Sequence, residues 1–203
     1  QHNFMSALYI HIPFCKQACY YCDFHFSTNT QQRQAMVEAI CKEINLQKNY
    51  LSQKNLRSIY FGGGTPSILE KKELASIFES IAQYFTWNKN TEITLEANPD
   101  DLSETKLKDF ADLGINRLSI GTQSFNEKHL QFLHRVHTAQ DAEKSILIAQ
   151  EIGFENISID LIYAIPAESH SIWKKDLEKA ISLQIPHISS YFLTIEPKTV
   201  FGH

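Results

Sequence analysis

The chain has 203 residues, 43% hydrophobic and 21% charged, with seven glycines and six prolines, which excludes collagen-like, low-complexity and wholly disordered chains. A net charge of −4 and a pI near 6.1 give no global electrostatic case for nucleic-acid binding. No window approaches the roughly 18–20 apolar residues of a membrane span, and residues 1–7 lack the basic head and cleavage site of a signal peptide, so a cytoplasmic protein is expected.

The first strand-like run, residues 8–12, follows Met5 and a short tail (residues 1–6), which puts the domain at 7–203. Behind it come Cys15, Cys19 and Cys22, a C-x3-C-x2-C run. Without a secretory signal, clustered cysteines point to metal or redox chemistry before disulfides. Structural zinc accepts three cysteines and a histidine, and His11 or His25 would serve as the fourth ligand. Such sites usually pair one knuckle with a second, distant one, and this chain has none. An iron–sulfur cubane normally takes four thiolates; three leave one iron open to a substrate or cofactor. The spacing favours the open cluster and leaves zinc as an alternative.

Cys41 is separate from the triplet. It shares the stripe Met36, Val37, Ile40, Cys41, Ile44, whose helical spacing marks a core face, so it reads as a small buried hydrophobe. A second strand-like run, 58–61, ends in Gly62-Gly63-Gly64-Thr65-Pro66. Glycines there let the backbone approach a charged ligand and offer it N–H groups, or else form an ordinary βα turn. The run lacks the Gly-Lys-Ser/Thr of a nucleoside-triphosphate loop. The stripe Leu74, Ile77, Phe78, Ile81, Ala82, Phe85 predicts a helix with one apolar face.

Strand-like runs follow at 92–98, 117–124, 156–162 and 187–193. Gly114 closes a helix over 107–113. Thr138 and Asp141 form a capping box that opens a helix closed by Gly153. Three segments, starting at Leu113, Ile152 and Leu183, repeat one junction: helix end, tight turn, strand start. Residues 195–203 end with no closing helix, so the sequence reads as a fragment.

Alternating β and α units predict an α/β fold with a parallel sheet. Strands buried on both faces read as continuous apolar runs; these alternate instead, Ile93, Leu95 and Ala97 against Thr94, Glu96 and Asn98 for example. One face packs on helices and the other is polar. A full barrel fills its interior with branched apolar side chains. Six units with a polar lumen therefore predict a partial (β/α)6 TIM-like barrel, open enough for a large ligand. Glu96 and Asp160 become inward carboxylates that need a partner. That partner is a hydroxyl-bearing or cationic ligand, or else Arg135 or Arg117.

These residues together resemble the radical S-adenosylmethionine superfamily. Cys15-Lys-Gln-Ala-Cys19-Tyr-Tyr-Cys22 matches its cysteine signature and Gly62-Gly63-Gly64-Thr65-Pro66 its glycine motif. Tyr9-Ile-His-Ile-Pro-Phe-Cys15 is similar to the oxygen-independent coproporphyrinogen III oxidase family, which includes the HemW-like haem chaperones. The resemblance implies that Cys15, Cys19 and Cys22 hold a 4Fe–4S cluster whose open iron chelates S-adenosylmethionine. It implies that Gly63, Gly64 and Thr65 grip the methionine part of that cofactor. Tyr9 and Tyr21 match aromatic positions beside it, and Glu96, Gln123, Arg135 and Asp160 match polar positions that bind it, as two molecules in the oxidases. Reductive cleavage then yields a radical that abstracts a substrate hydrogen. Haem or a porphyrinogen, an electron donor such as flavodoxin or ferredoxin, and haem-accepting proteins are the implied partners.

Two departures point within the family. The oxidases carry a further cysteine two residues after the third ligand, where this chain has Phe24, and an N-terminal extension, where only eight residues precede Tyr9. Both favour the HemW-like branch, as does Arg135-Val-His137-Thr138; the oxidase is the alternative. Thr122 and His134 stand where valine and glycine are more usual. Family members continue into a C-terminal domain, so no haem ligand is named; His25 and His137 read as ordinary polar residues.

Overall fold

In the computed structural model, which describes residues 6–203, each strand-like run is a strand: β1 (Ser6–Ile12), β2 (Leu56–Gly63), β3 (Glu92–Ala97), β4 (Arg117–Gln123), β5 (Asn156–Tyr163) and β6 (His187–Phe192). Of the expected tail, Met5 and the residues before it lie outside the described residues, and Ser6 already belongs to β1. All neighbouring pairs are parallel and in sequence order, with β1 and β6 at the edges among the described residues. Helices α1 (Arg33–Leu46), α2 (Lys71–Ala82), α3 (Glu104–Asp112), α4 (Glu127–Phe132), α5 (Ala139–Ile152) and α6 (Ser171–Ser182) occupy the crossovers. The architecture is the expected partial barrel. Among the described residues no helix is long and apolar enough to cross a membrane.

Alternation sorts the two faces. Ile59, Phe61, Ile93, Leu95, Leu118, Ile120, Ile157 and Ile159 are buried in one core. Each contributes roughly 1.5–3 kcal/mol by leaving water. Helix α2 delivers most of its stripe, with Leu74, Ile77, Phe78 and Ile81 buried and Phe85 buried just past its end, whereas Ala82, the last residue of the helix, is exposed. Helix α1 differs from expectation: only Val37 is buried, while Met36, Ile40, Cys41 and Ile44 pack partly exposed. Cys41 is thus a flank residue, its thiol directed at the Ser76 carbonyl at 3.5 Å, because α1 covers the outermost strand where solvent reaches its side.

The repeated junction is real and identical in its bonds. Ile115, Phe154 and Ile185 donate their N–H groups to the carbonyls of Phe110, Ala149 and Ala180, and the residue before each is left-handed. That residue is Gly114 (φ +85°), Gly153 (φ +108°) and Gln184 (φ +55°). Thr138 and Asp141 form the expected capping box of α5.

Two features had no counterpart in the periodicity. Helix α4 is one and a half turns, started by Asn126, whose side chain accepts the His129 N–H. The β4–β5 register shifts between Ile120 and Gln123, a bulge at the end of β4. A second small core, Leu133, Ile162, Ile165 and Leu193, lies at that end of the sheet, with Tyr21 and Phe201 packed on it.

Candidate cofactor site at the strand ends

The three cysteines sit on the loop from β1 to α1, and that loop is tied down on both sides. Cys15 N–H donates to Ser27 O (3.1 Å), Cys22 N–H to Cys19 O (3.2 Å) and Tyr20 N–H to Leu133 O (3.2 Å). Lys16 bridges Asp100 at 2.7 Å and Asp101 at 2.5 Å, just beyond β3. Gln17 donates to the His134 carbonyl, and the Tyr20 and His134 rings stack 4.2 Å apart.

All three thiols are partly exposed and none is in a disulfide. Burial pushes the Cys15 thiol above its ordinary value, and the Thr65 hydroxyl, donating to its sulfur at 3.4 Å, works against that. Burial likewise raises Cys22, opposed by a backbone hydrogen bond from Phe24. Arg135 Nη1 donates to Cys19 Sγ at 3.3 Å. Among the described residues no three His, Cys, Asp or Glu side chains converge on one ion position, as a zinc site would require. A cubane distributes its thiolates over separate irons. Three neighbouring thiols with hydroxyl and guanidinium donors aimed at two of them fit that demand.

The glycine run donates within the protein. Gly63 N–H bonds Glu96 Oε2 (3.0 Å), Gly64 N–H bonds Ile12 O (2.8 Å) and Thr65 N–H bonds Phe14 O (2.7 Å). The expectation that these N–H groups face a ligand is therefore corrected: protein acceptors take them. Close approach does require glycine. A Cβ on Gly64 would lie 2.7 Å from Phe14 O and 3.0 Å from Cys15 Sγ, and Gly63, at φ +117°, faces the His11 ring.

Glu96 finds its partners in neither arginine. Tyr60 O–H donates to Oε1 at 2.7 Å and Gly63 N–H to Oε2. Burial raises its pKa and these two bonds oppose the rise. Tyr9, 60% exposed, stacks on Tyr60 with centroids 5.9 Å apart and pairs its hydroxyl with His11 Nδ1. Arg135 Nη2 donates to Asn98 Oδ1 (2.6 Å) and Gly121 O (2.8 Å), while Nη1 reaches the Tyr21 hydroxyl at 3.5 Å. Arg117 leans on Glu92 and Thr94. Asp160 is raised to about 6 by burial and then by the Glu96 charge, with Arg135 and Arg117 opposing. Gln123 sits on the bulge at φ +65°, 8% exposed.

The predicted residues thus gather at one end of the sheet. Tyr60 and Asn98 join them without having been singled out. Tyr60 shares the lumen face with Gly62 and Glu96 by alternation, a signal the sequence carried; nothing local marked Asn98 as the link between Thr65 and Arg135. His137 is buried against the Thr122 carbonyl, and His25 is exposed on the cysteine loop.

The profile of the Radical SAM superfamily matches residues 9–180. The heme chaperone HemW of Lactococcus lactis is 41% identical over 197 residues, 97% of this chain and 51% of that protein. HemW of Escherichia coli is 36% identical, covering 97% of this chain and 52% of its own length. A mitochondrial radical S-adenosyl methionine domain-containing protein 1 of Danio rerio is 35% identical over 98% of this chain and 45% of that protein. The chain spans about half the length of these curated relatives. Among solved structures, the coproporphyrinogen III oxidase HemN of Escherichia coli matches with a TM-score of 0.87 at 28% identity, over 96% of this chain and 45% of that one. The radical S-adenosylmethionine methyltransferase TsrM of Kitasatospora setae, at 13% identity and a TM-score of 0.70, shares the fold.

Proposed function

The chain belongs to the radical SAM superfamily, and from that premise we propose that it is the cofactor-binding barrel of a HemW-like haem chaperone. The observation that carries the reading is identity of 36–41% to HemW proteins along 97% of the chain. Phe24, exposed beside Cys22 where the oxidases have a cysteine, supports it.

Cys15, Cys19 and Cys22 would hold a 4Fe–4S cluster, and Gly63, Gly64, Thr65, Glu96, Gln123, Arg135 and Asp160 would bind S-adenosylmethionine, with Tyr9 and Tyr21 beside it. When bound, this pair supplies one-electron reductive chemistry at a sulfonium. The chain's own part is to bind, orient and exclude water. Thr65 and Arg135 donate to cysteine sulfurs; Tyr60 and the Gly63 N–H hold Glu96 in one orientation; Asp160, short of a partner, accepts from a ligand hydroxyl. Haem, an electron donor of the flavodoxin or ferredoxin class and haem-accepting proteins are the proposed partners of the full-length cytoplasmic protein.

Anaerobic reconstitution should load about four irons per chain, and changing any of Cys15, Cys19 or Cys22 to alanine should abolish loading. One tightly bound zinc and no cluster would overturn the reading. Similarity to HemN keeps a second reading, the oxidase. Full-length protein given coproporphyrinogen, reductant and S-adenosylmethionine separates the two: haem binding without carbon dioxide release supports the chaperone, and release assigns the oxidase.

A further inference from the structure

Two of the three cysteine sulfurs receive side-chain hydrogen bonds, and both donors are held by one amide. Asn98 Nδ2 donates to Thr65 Oγ1 at 3.3 Å. A hydroxyl has a single hydrogen, so Thr65, accepting from Asn98, directs its own at Cys15 Sγ, 3.4 Å away. On the other side, Asn98 Oδ1 accepts from Arg135 Nη2 at 2.6 Å, and Arg135 Nη1 donates to Cys19 Sγ at 3.3 Å. Arg135 Nε is buried with no partner. The guanidinium is therefore oriented through its two Nη atoms, on Asn98, Gly121 O, Tyr21 and Cys19.

Asn98 is itself anchored. Its N–H donates to Ser67 Oγ (3.2 Å), Ser67 O–H donates to Asp101 Oδ2 (2.6 Å), and Asp101 Oδ1 holds Lys16, the neighbour of Cys15. The amide works here because it offers a donor and an acceptor side by side. A carboxylate would take the Thr65 hydrogen for itself and turn it from the sulfur; an apolar side chain would leave the Thr65 hydroxyl unguided and Arg135 Nη2 held by Gly121 O alone. The third thiol, Cys22, takes a backbone donor, Phe24, and lies off this path.

We propose that Asn98 is a positioning residue that aims these two hydrogen bonds at the cysteine sulfurs and thereby raises the reduction potential of the cluster they hold. The inference rests on the cluster reading above. Reduction adds negative charge to the cluster, and hydrogen bonds to its sulfurs favour the reduced form.

The test is a redox titration of reconstituted protein, followed by electron paramagnetic resonance, on wild type, Asn98→Leu, Asn98→Ala and Thr65→Val. Asn98→Leu keeps side-chain size while removing both bonds, and Asn98→Ala removes the bulk as well. At a fixed ambient potential both should lower the reduced-to-oxidised ratio about tenfold, which for a one-electron couple is about 59 mV. Thr65→Val should give a smaller drop, and adding it to Asn98→Leu should give less than the sum of the two. Unchanged potentials in variants with full iron content overturn the inference and leave the cluster reading standing. A wild type that takes up no cluster overturns that reading instead. If neither Asn98 variant retains iron, Thr65→Val decides, and an unchanged potential there overturns the inference.

Discussion

His137 is 2% exposed, and its Nε2–H donates to the Thr122 carbonyl at 3.1 Å while Nδ1 is buried with no partner. Protonating Nδ1 would create a charged N–H with no acceptor, beside the Arg135 guanidinium. Burial first, and the Arg135 charge second, push its pKa from 6.5 down to about 4; the hydrogen bond to the Thr122 carbonyl, then Asp100 and Asp141, pull the other way. The unfolded chain therefore binds more protons than the folded one between these two values, and stability rises with pH across that window. The contribution is complete above pH 6.5 and is lost as pH falls through about 4. Its size is about 3 kcal/mol. His137→Gln retains a donor for Thr122 O without a titrating group. Urea unfolding of the metal-free protein at pH 7 and at pH 4 should show wild type losing about 3 kcal/mol more than the variant. Equal losses would mean that His137 is not held neutral in the folded state.

At the scale of elements, three βα units share one helix exit, and they differ at its left-handed position. Gly114 and Gly153 adopt it freely, whereas Gln184 adopts φ +55° with a side chain that crowds the following carbonyl. Gln184→Gly should relieve that crowding. Because glycine also gains freedom in the unfolded chain, the net stabilisation is about 0.5–1 kcal/mol, seen as about 2 °C in Tm. Gly153→Ala should cost about 1 kcal/mol by the same reasoning; a rise in Tm there would refute it. This junction was legible because its three copies align along the chain. Helix α4 was not, since six residues are too few to establish a helical period. The bulge that turns Gln123 is set by pairing of β4 with β5, and a register between strands leaves no mark on either strand alone. The same holds for Asn98. Alternation gives its face, but its partners Thr65 and Arg135 lie 33 and 37 residues away, and hydrogen bonds of that span have no sequence period.

The whole molecule carries a polar lining where a closed barrel would carry branched apolar side chains, and that lining lowers the stability of the ligand-free protein. Asp160 is the clearest instance. It is mostly enclosed, faces the Glu96 charge and is raised from 3.8 to about 6, with Arg135 and Arg117 too weakly coupled to reverse the shift. Here the folded state binds more protons than the unfolded one, opposite to His137. The stabilisation this gives is present below pH 3.8 and is lost as pH rises through about 6, so near neutrality the ionised carboxylate opposes folding. Allowing for solvent at the open mouth, the cost near pH 8 is on the order of 2 kcal/mol. Asp160→Asn removes the charge at constant shape. It should therefore stabilise the ligand-free protein at pH 8, by on the order of 4–8 °C in Tm, and the difference from wild type should vanish near pH 4. On the proposed assignment the same variant binds S-adenosylmethionine more weakly, because a carboxylate is the stronger acceptor for a ligand hydroxyl. A variant that is stabilised but binds ligand poorly would identify Asp160 as a group kept for function against stability. No gain at pH 8 would mean that Arg117 and Arg135 already satisfy it, and would move the acceptor role to Glu96.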